Sequence, residues 1–541
     1  MFEQIGANAQ LVEHSQEFDQ PVVTHVTDGV HVAVGFDLAN SVLIEGDEGI
    51  IIVDTLSCAE AATDVFTAFR QITDKPVSAI IYTHNHADHV MGAAVFAQAD
   101  QPAIYAQETL AERVARIFNI LRPVIVARSM RQFGVYLEEG GLINAGIGPV
   151  LRTNNKSTLA YQAPTHTFSD RLSTTIAGVE IELIHAPGET DDTSYVWLPE
   201  KRCLISADNI YKTFPNLYAI RGTAYRDVMK WVASLDIIRE IRPDTLVPTH
   251  GPPLHGAALI YETVTAYRDA IQYVHDQTIR LMNQGLSADE IAAQLTLPAH
   301  LANHRYLREH YGTVGWSARS IFEGYLGWFS GNPTDLEPLA PYERAQRMAN
   351  MVGGVDQLKK QAEQAAASGD AQWVLELTDH LMALSPDDEQ VRTWRTDALI
   401  AQGAKHSSSN GRNYFLMSAQ ELNGFKVPSI TPSAEFFRMI PIEAFFQTMR
   451  TRLDPVKSAN VDSSIGYHFT DSGKAFTLHV RRGVLEVTAT AAENPAATLT
   501  TTEQIWKEVA AGLRNPAETP ELEISGDAGS LLQFMGLFER Q

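Results

Sequence analysis

The run Thr83-His84-Asn85-His86-Ala87-Asp88-His89 sets three imidazoles and a carboxylate within six residues, directly after the apolar segment 77–82. That segment reads as a β-strand, so the polar run falls where a strand ends. His84 and His86 alternate as strand-end residues do and can point to one side. Asp88 and His89 follow a turn and can face a neighbouring centre. Neutral imidazole and carboxylate are ligands that borderline cations such as Zn²⁺ accept, and this spacing suits two adjacent ions. The pattern predicts a metal-dependent hydrolase built on a strand-and-loop scaffold.

With 541 residues the chain exceeds what one core serves, and two to four domains are expected. Its net charge of -23 argues against a general nucleic-acid or anionic-membrane binder. An anionic substrate would therefore meet only local cations, the metals and one or two arginines. Cys58 and Cys203 cannot form a disulfide framework and read as small buried residues at strand edges. The first twenty residues lack a basic segment followed by an apolar core, and no apolar run reaches the length of a membrane span. These features predict a cytoplasmic protein without stable membrane insertion.

Three regions differ in pattern. Residues 1–257 alternate short β-rich runs with helical stretches, such as the helix expected over 59–72, and polar loops begin where the strands end. Residues 258–427 are helical throughout, with a capping box at Ser287 and Glu290 and one tetratricopeptide-like helix pair around Ser385-Pro386-Asp387-Asp388. Trp316, Tyr325, Trp328 and Phe329 there read as core or interface residues, and 405–411 as a loop between helices. Residues 428–541, entered through a linker at 428–432, read as an antiparallel meander followed by two helices.

Within the first region His84, His86, Asp88 and His89 form the HxHxDH motif, by which the chain resembles the metallo-β-lactamase superfamily. Asp54 at the end of a strand, Asp208 in Ser206-Ala207-Asp208-Asn209 and His250 in Pro248-Thr249-His250-Gly251 agree with it. Most members carry a Pro-Gly-His-Thr segment, whereas here it reads Pro187-Gly188-Glu189-Thr190. That replacement is characteristic of the alkylsulfatase branch, which the chain is similar to over nearly its whole length. The resemblance implies an αββα catalytic domain, an all-α dimerisation domain and an α+β C-terminal domain like the sterol carrier proteins. It implies two zinc ions, with Asp208 bridging them where relatives more often have Glu, and Asn216 and Arg221 holding a sulfate.

The expected ligand sets are His84, His86 and Glu189 for one ion and Asp88, His89 and His250 for the other. Asp88, Asn216 and Arg221 are the expected catalytic residues. His250 is preferred over His255 as the last ligand because it follows an apolar strand, which leaves His255 to the substrate. His185 reads as a buried, hydrogen-bonded histidine. Glu189 would make its metal less electrophilic, and a bridging carboxylate offsets the repulsion between two cations. The expectation is a homodimeric enzyme whose metal-activated hydroxide cleaves sulfate from an alkyl ester. The alternatives are a lactonase, thioesterase or β-lactam hydrolase on the same scaffold, or a lipid-binding scaffold with a relic site. The stripe Leu531, Leu532, Phe534, Met535 and Phe538 reads as ordinary core before it reads as the lining of a lipid tunnel.

Overall fold

Runs rich in Val and Ile, such as Ile50–Val53, favour extended backbone because the branched side chains pack well on a pleated surface. In the computed structural model, which describes residues 5–98, 100–430, 438 and 440–539, these runs form two sheets in the first part of the chain. The first holds β1 (Val22–Thr27), β2 (Val30–Val34), β3 (Ser41–Glu45), β4 (Ile50–Val53), β5 (Val77–Ile81), β6 (Ala103–Gln107) and β7 (His166–Phe168), in chain order. Pairing is antiparallel from β1 to β4 and parallel from β4 to β7. The second holds β8 (Arg171–Ile176), β9 (Val179–His185), β10 (Ser194–Leu198), β11 (Cys203–Ile205), β12 (Thr245–Val247) and β13 (Leu254–His255), ordered β13-β12-β11-β10-β9-β8.

Alternation along the strands builds two interfaces. Ile51, Val53, Ala79 and Ile81 of the first sheet join Leu183, Val196, Cys203 and Ile205 of the second in one buried cluster between the sheets. The intervening Ile184, Tyr195, Leu204 and Leu246 face the other way and pack on Trp231, Leu235 and Tyr267. Those last three belong to the helices Val228–Ile241 and Ala257–Met282. Each such aliphatic side chain removed from water contributes about 1.5–3 kcal/mol. On the first sheet the crossover from β4 to β5 is the helix Ala59–Phe69, which buries Ala61, Ala62, Val65, Phe66 and Phe69. The layers are therefore those of a metallo-β-lactamase αββα sandwich.

The described chain divides into two compact units, one of residues 1–110, 125–157 and 164–430, the other of 111–124, 158–163 and 431–541. The first unit thus continues without a break through the expected boundary at residue 257, inside which the helix Ala257–Met282 runs on from β13. It includes the all-helical part, where the Ser287–Glu290 capping box is formed and the helices Ala371–Leu384 and Glu389–Lys405 make the expected pair. Only 406–408 of the expected polar loop is loop. Ser409, Asn410 and Gly411 open a helix and are buried, with Ser409 Oγ donating to Asn144 Oδ1. Short stretches 111–124 and 158–163, expected in the catalytic domain, group instead with the C-terminal part.

The second unit carries a five-stranded sheet among its described residues: β14 (Asp462–Phe469), β15 (Ala475–Arg481), β16 (Val484–Thr488), β17 (Ala497–Thr501) and β18 (Glu523–Gly526). It is a mixed sheet rather than a simple meander, since β14 pairs with β17 in parallel. Leu531, Phe534 and Phe538 enter its core beside Phe446, Tyr467 and Trp506, whereas Leu532 is 75% exposed. The C-terminal stripe is thus divided between core and surface. The expected linker lies partly outside the described residues, which take in 428–430 but not 431–432. Among the described residues, no helix is long and apolar enough to cross a membrane.

Candidate metal centre

Four strand ends converge on one spot. Asp54 follows β4, His84 to His89 follow β5, Asp208 follows β11 and His250 follows β12, while Glu189 lies on the turn between β9 and β10. Two groups of ligand atoms result, His84, His86, Glu189 and Asp208 in one and Asp88, His89 and His250 in the other, with the atoms of each group within 4.8 Å of one another. Asp208 faces both. Its Oδ2 lies 3.6 Å from His84 Nε2 and 3.0 Å from His250 Nε2, and its Oδ1 lies 3.6 Å from His89 Nε2. The shorter aspartate therefore reaches across the two groups.

The imidazoles are held with one nitrogen turned into this space. His89 Nδ1 donates to Asp54 Oδ2 at 2.7 Å, and His250 Nδ1 donates to the Leu38 carbonyl at 2.8 Å. Thr83 Oγ1 donates to Asp54 Oδ2 at 2.7 Å and accepts from His84 Nδ1 at 3.1 Å. Asp54 thus orients two imidazoles, one directly and one through Thr83. It does so from a left-handed backbone (φ 61) at the strand end, a conformation that costs a non-glycine residue energy and concentrates at functional sites. His89 Nε2 is buried without a hydrogen-bond partner. An unpartnered imidazole nitrogen amid carboxylates fits a cation.

Burial shapes the charge states. It pushes His84 and His86 down to about 3, so both are neutral and ready to ligate. For Asp88 and Asp208 burial works to raise the pKa, but the histidines beside them outweigh it and hold both carboxyls below the usual range. His89 is raised well above the ordinary value, since Asp208, Asp88 and Asp54 together outweigh its burial.

Arg221 reaches the cluster from the loop that follows Asp208, and Asn216 lies on the same loop with its carbonyl against Arg226. Arg221 Nη2 lies 3.0 Å from His86 Nε2, and its backbone N–H donates to Gln132 Oε1 at 3.0 Å. The Asn216 N–H donates to Tyr211 Oη at 2.8 Å, and its Oδ1 is buried without a partner. The loop is braced by the helical region. Phe214 N–H donates to the Arg308 carbonyl at 2.8 Å, Thr213 Oγ1 donates to the same oxygen at 2.6 Å, and Gly312 packs against the Pro215 carbonyl.

His255 is not brought to the cluster. It is exposed on β13 and pairs with Thr245, at the end of β12 away from His250, so its expected contact with substrate is a correction. His185 is half-buried and bonds the Asp191 carbonyl at 2.6 Å. Cys58 and Cys203 are buried and unpaired. Sequence reasoning missed Arg226, a buried cation against Glu189. Its one signal was the five-residue step from Arg221, the same step that separates Asn216 from Arg221.

Comparison with known proteins agrees with this geometry. Residues 34–250 match the metallo-β-lactamase superfamily, 287–424 the alkyl sulfatase dimerisation domain and 431–541 the alkyl sulfatase C-terminal domain. The chain is 38% identical over 520 residues to a linear primary-alkylsulfatase of Pseudomonas sp. (strain ATCC 19151), covering 92% of this chain and 98% of that one. It is 30% identical to an (R)-specific secondary-alkylsulfatase of Pseudomonas sp., over 93% of this chain and 79% of the relative. The solved structure of the stereoselective inverting sec-alkylsulfatase Pisa1 from Pseudomonas sp. superposes with a TM-score of 0.93 at 27% identity, over 100% of this chain and 88% of that one. A strand-end cluster with a glutamate on the β9–β10 turn, followed by helical and C-terminal parts that match by family, places the chain in the alkylsulfatase family of the metallo-β-lactamase superfamily, as a sulfuric ester hydrolase.

Proposed function

We propose that the chain hydrolyses alkyl sulfate esters to alcohol and inorganic sulfate with two zinc ions. His84, His86 and Glu189 would hold one ion and Asp88, His89 and His250 the other, with Asp208 between them. When bound, such a pair supplies Lewis acidity and a water activated at neutral pH. The observation that carries the reading is the guanidinium of Arg221 at 3.0 Å from His86, which sets a forked cation at the edge of the ligand cluster.

The residues divide the work. Arg221 offers a planar fork to sulfate oxygens, and Asn216 adds a neighbouring amide. Arg221 only donates, so His86 Nε2 is its acceptor in this arrangement. Ligation through His86 Nδ1 requires the ring proton on Nε2. With a metal held there, the guanidinium would turn from His86 to the sulfate. Asp54 engages Nδ1 of His89 directly and Nδ1 of His84 through Thr83, so Nε2 of both rings faces the cluster. Asp88, beside His89 and His250 and only 13% exposed, serves as a ligand and orients the attacking water. The same reading takes the protein as a homodimer joined through its helical region, where Tyr325, Leu326, Trp328, Tyr342 and Met351 are exposed on one chain.

A substrate panel on zinc-loaded protein tests the function. Dodecyl sulfate is expected to turn over, and lactones, thioesters and β-lactams are not. Turnover confined to the latter would move the protein to another branch of hydrolases.

A further inference from the structure

Arg226 is almost fully buried, at 3% exposure, and it divides its contacts unequally. Its Nη1 donates to Glu189 Oε1 at 2.7 Å and also to the backbone carbonyl of Asn216. Its Nε and Nη2 are buried without a hydrogen-bond partner. A buried ion pair of this kind is weak support for stability, because desolvation of both charges offsets most of their attraction. Two consequences of the geometry give it a different role.

The first concerns Glu189. With Oε1 taken by Arg226, the oxygen left to the ligand cluster is Oε2, which lies 3.6 Å from His86 Nδ1. The second concerns the loop. One nitrogen joins the turn that carries a metal ligand to the backbone of a residue assigned to the sulfate, so displacing either displaces the other's partner.

We propose that Arg226 is a positioning residue: it restricts Glu189 to binding a metal through Oε2 alone and fixes Asn216 by the same contact. Metal affinity at the His84, His86 and Glu189 group and affinity for sulfate are thereby coupled. Coupling of this kind is reciprocal, so bound sulfate tightens the metal as much as the metal tightens sulfate. The proposal rests on the alkylsulfatase reading of the site, but its readouts are binding equilibria that do not require turnover.

The experiment titrates metal-stripped protein with zinc against a chromophoric chelator, then titrates the zinc-loaded protein with inorganic sulfate by calorimetry. Arg226→Met is expected to weaken one of the two zinc ions by about tenfold or more while the other stays within about threefold, the range seen when residues supporting a ligand are removed. Sulfate affinity falls with it, and Arg226→Lys restores part of both losses. In a Glu189→Gln background, Arg226→Met adds no further loss of zinc affinity, because residues acting through one contact are non-additive. That paired variant lacks both charges and keeps the test available if Arg226→Met alone does not fold. Wild-type affinity for both ions in a folded Arg226→Met protein would overturn the proposal. So would equal loss of both ions, or an additive loss in the Glu189→Gln background. A wild-type protein that binds zinc and sulfate but leaves alkyl sulfates intact would sink the substrate reading and not this one.

Discussion

Asp54 makes no contact with substrate in this reading, yet two imidazoles depend on it. Its Oδ2 accepts from His89 Nδ1 and from Thr83 Oγ1, and its Oδ1 accepts from the Thr83 N–H at 2.8 Å. An asparagine there must present an amide N–H to one of these donors. Asp54→Asn is therefore expected to weaken zinc by about 10–100-fold, measured by chelator competition, with the fold retained by circular dichroism. Arg221 acts differently because it touches no ion directly. Arg221→Ala is expected to lose about 100-fold or more in kcat/KM while metal analysis still returns both ions. Full activity in that variant would remove Arg221 from the sulfate site.

Strand ends explain why the site assembles, and the turns between strands explain how tightly. On the β9–β10 turn a Cβ at Gly188 would lie 2.0 Å from Asn209 Oδ1. Asn209 accepts from the Glu189 N–H at 3.2 Å and donates to the Ala186 carbonyl at 2.8 Å and to Tyr195 Oη at 2.9 Å. Gly188→Ala is expected to displace Asn209, lower stability by about 1–3 kcal/mol, and weaken zinc binding at the site proposed to include Glu189. Thermal melts and zinc titration check the two effects separately. Elements of this kind were legible in the chain because apolar alternation marks strands and polar residues mark their ends. The His84 to His89 run, Glu189, Asp208 and His250 all stand at such ends and could be read in place. Arg226 could not, since a lone arginine before a helix cap has no periodicity and its partner is 37 residues away. The same limit hid the burial of Ser409 to Gly411, where Ser409 Oγ donates to Asn144, a residue distant in sequence. Sequence reasoning leaves His255 to the substrate because it follows His250 by five residues, whereas β13 returns along β12 and carries it away.

Over the whole molecule, the exposed apolar side chains of the helical region and a stacked histidine pair each carry a measurable consequence. Trp328 is 69% exposed on the single chain beside exposed Tyr325 and Leu326, an apolar patch of the kind that marks an interaction site. Under the proposed homodimer, Trp328→Asp together with Leu326→Asp is expected to yield a monomer in light scattering, where the unaltered protein gives a dimer. His14 and His310 stack with ring centroids 4.5 Å apart, and burial, then the charge of His14, pushes His310 down to about 4 from 6.5. Between those values the unfolded chain binds the proton and the folded one does not, so stability falls as pH drops from about 6.5 toward 4. His310→Phe is expected to flatten that part of the melting temperature profile relative to wild type. The Asn216 loop, braced by Arg308 and Gly312, adds a consequence for how the protein is made. All seven candidate metal ligands lie at or before His250, some sixty residues ahead of that brace. During translation every candidate metal ligand leaves the ribosome before the segment that braces the Asn216 loop, so under the proposed reading a nascent chain would hold its full ligand set before that loop has its support.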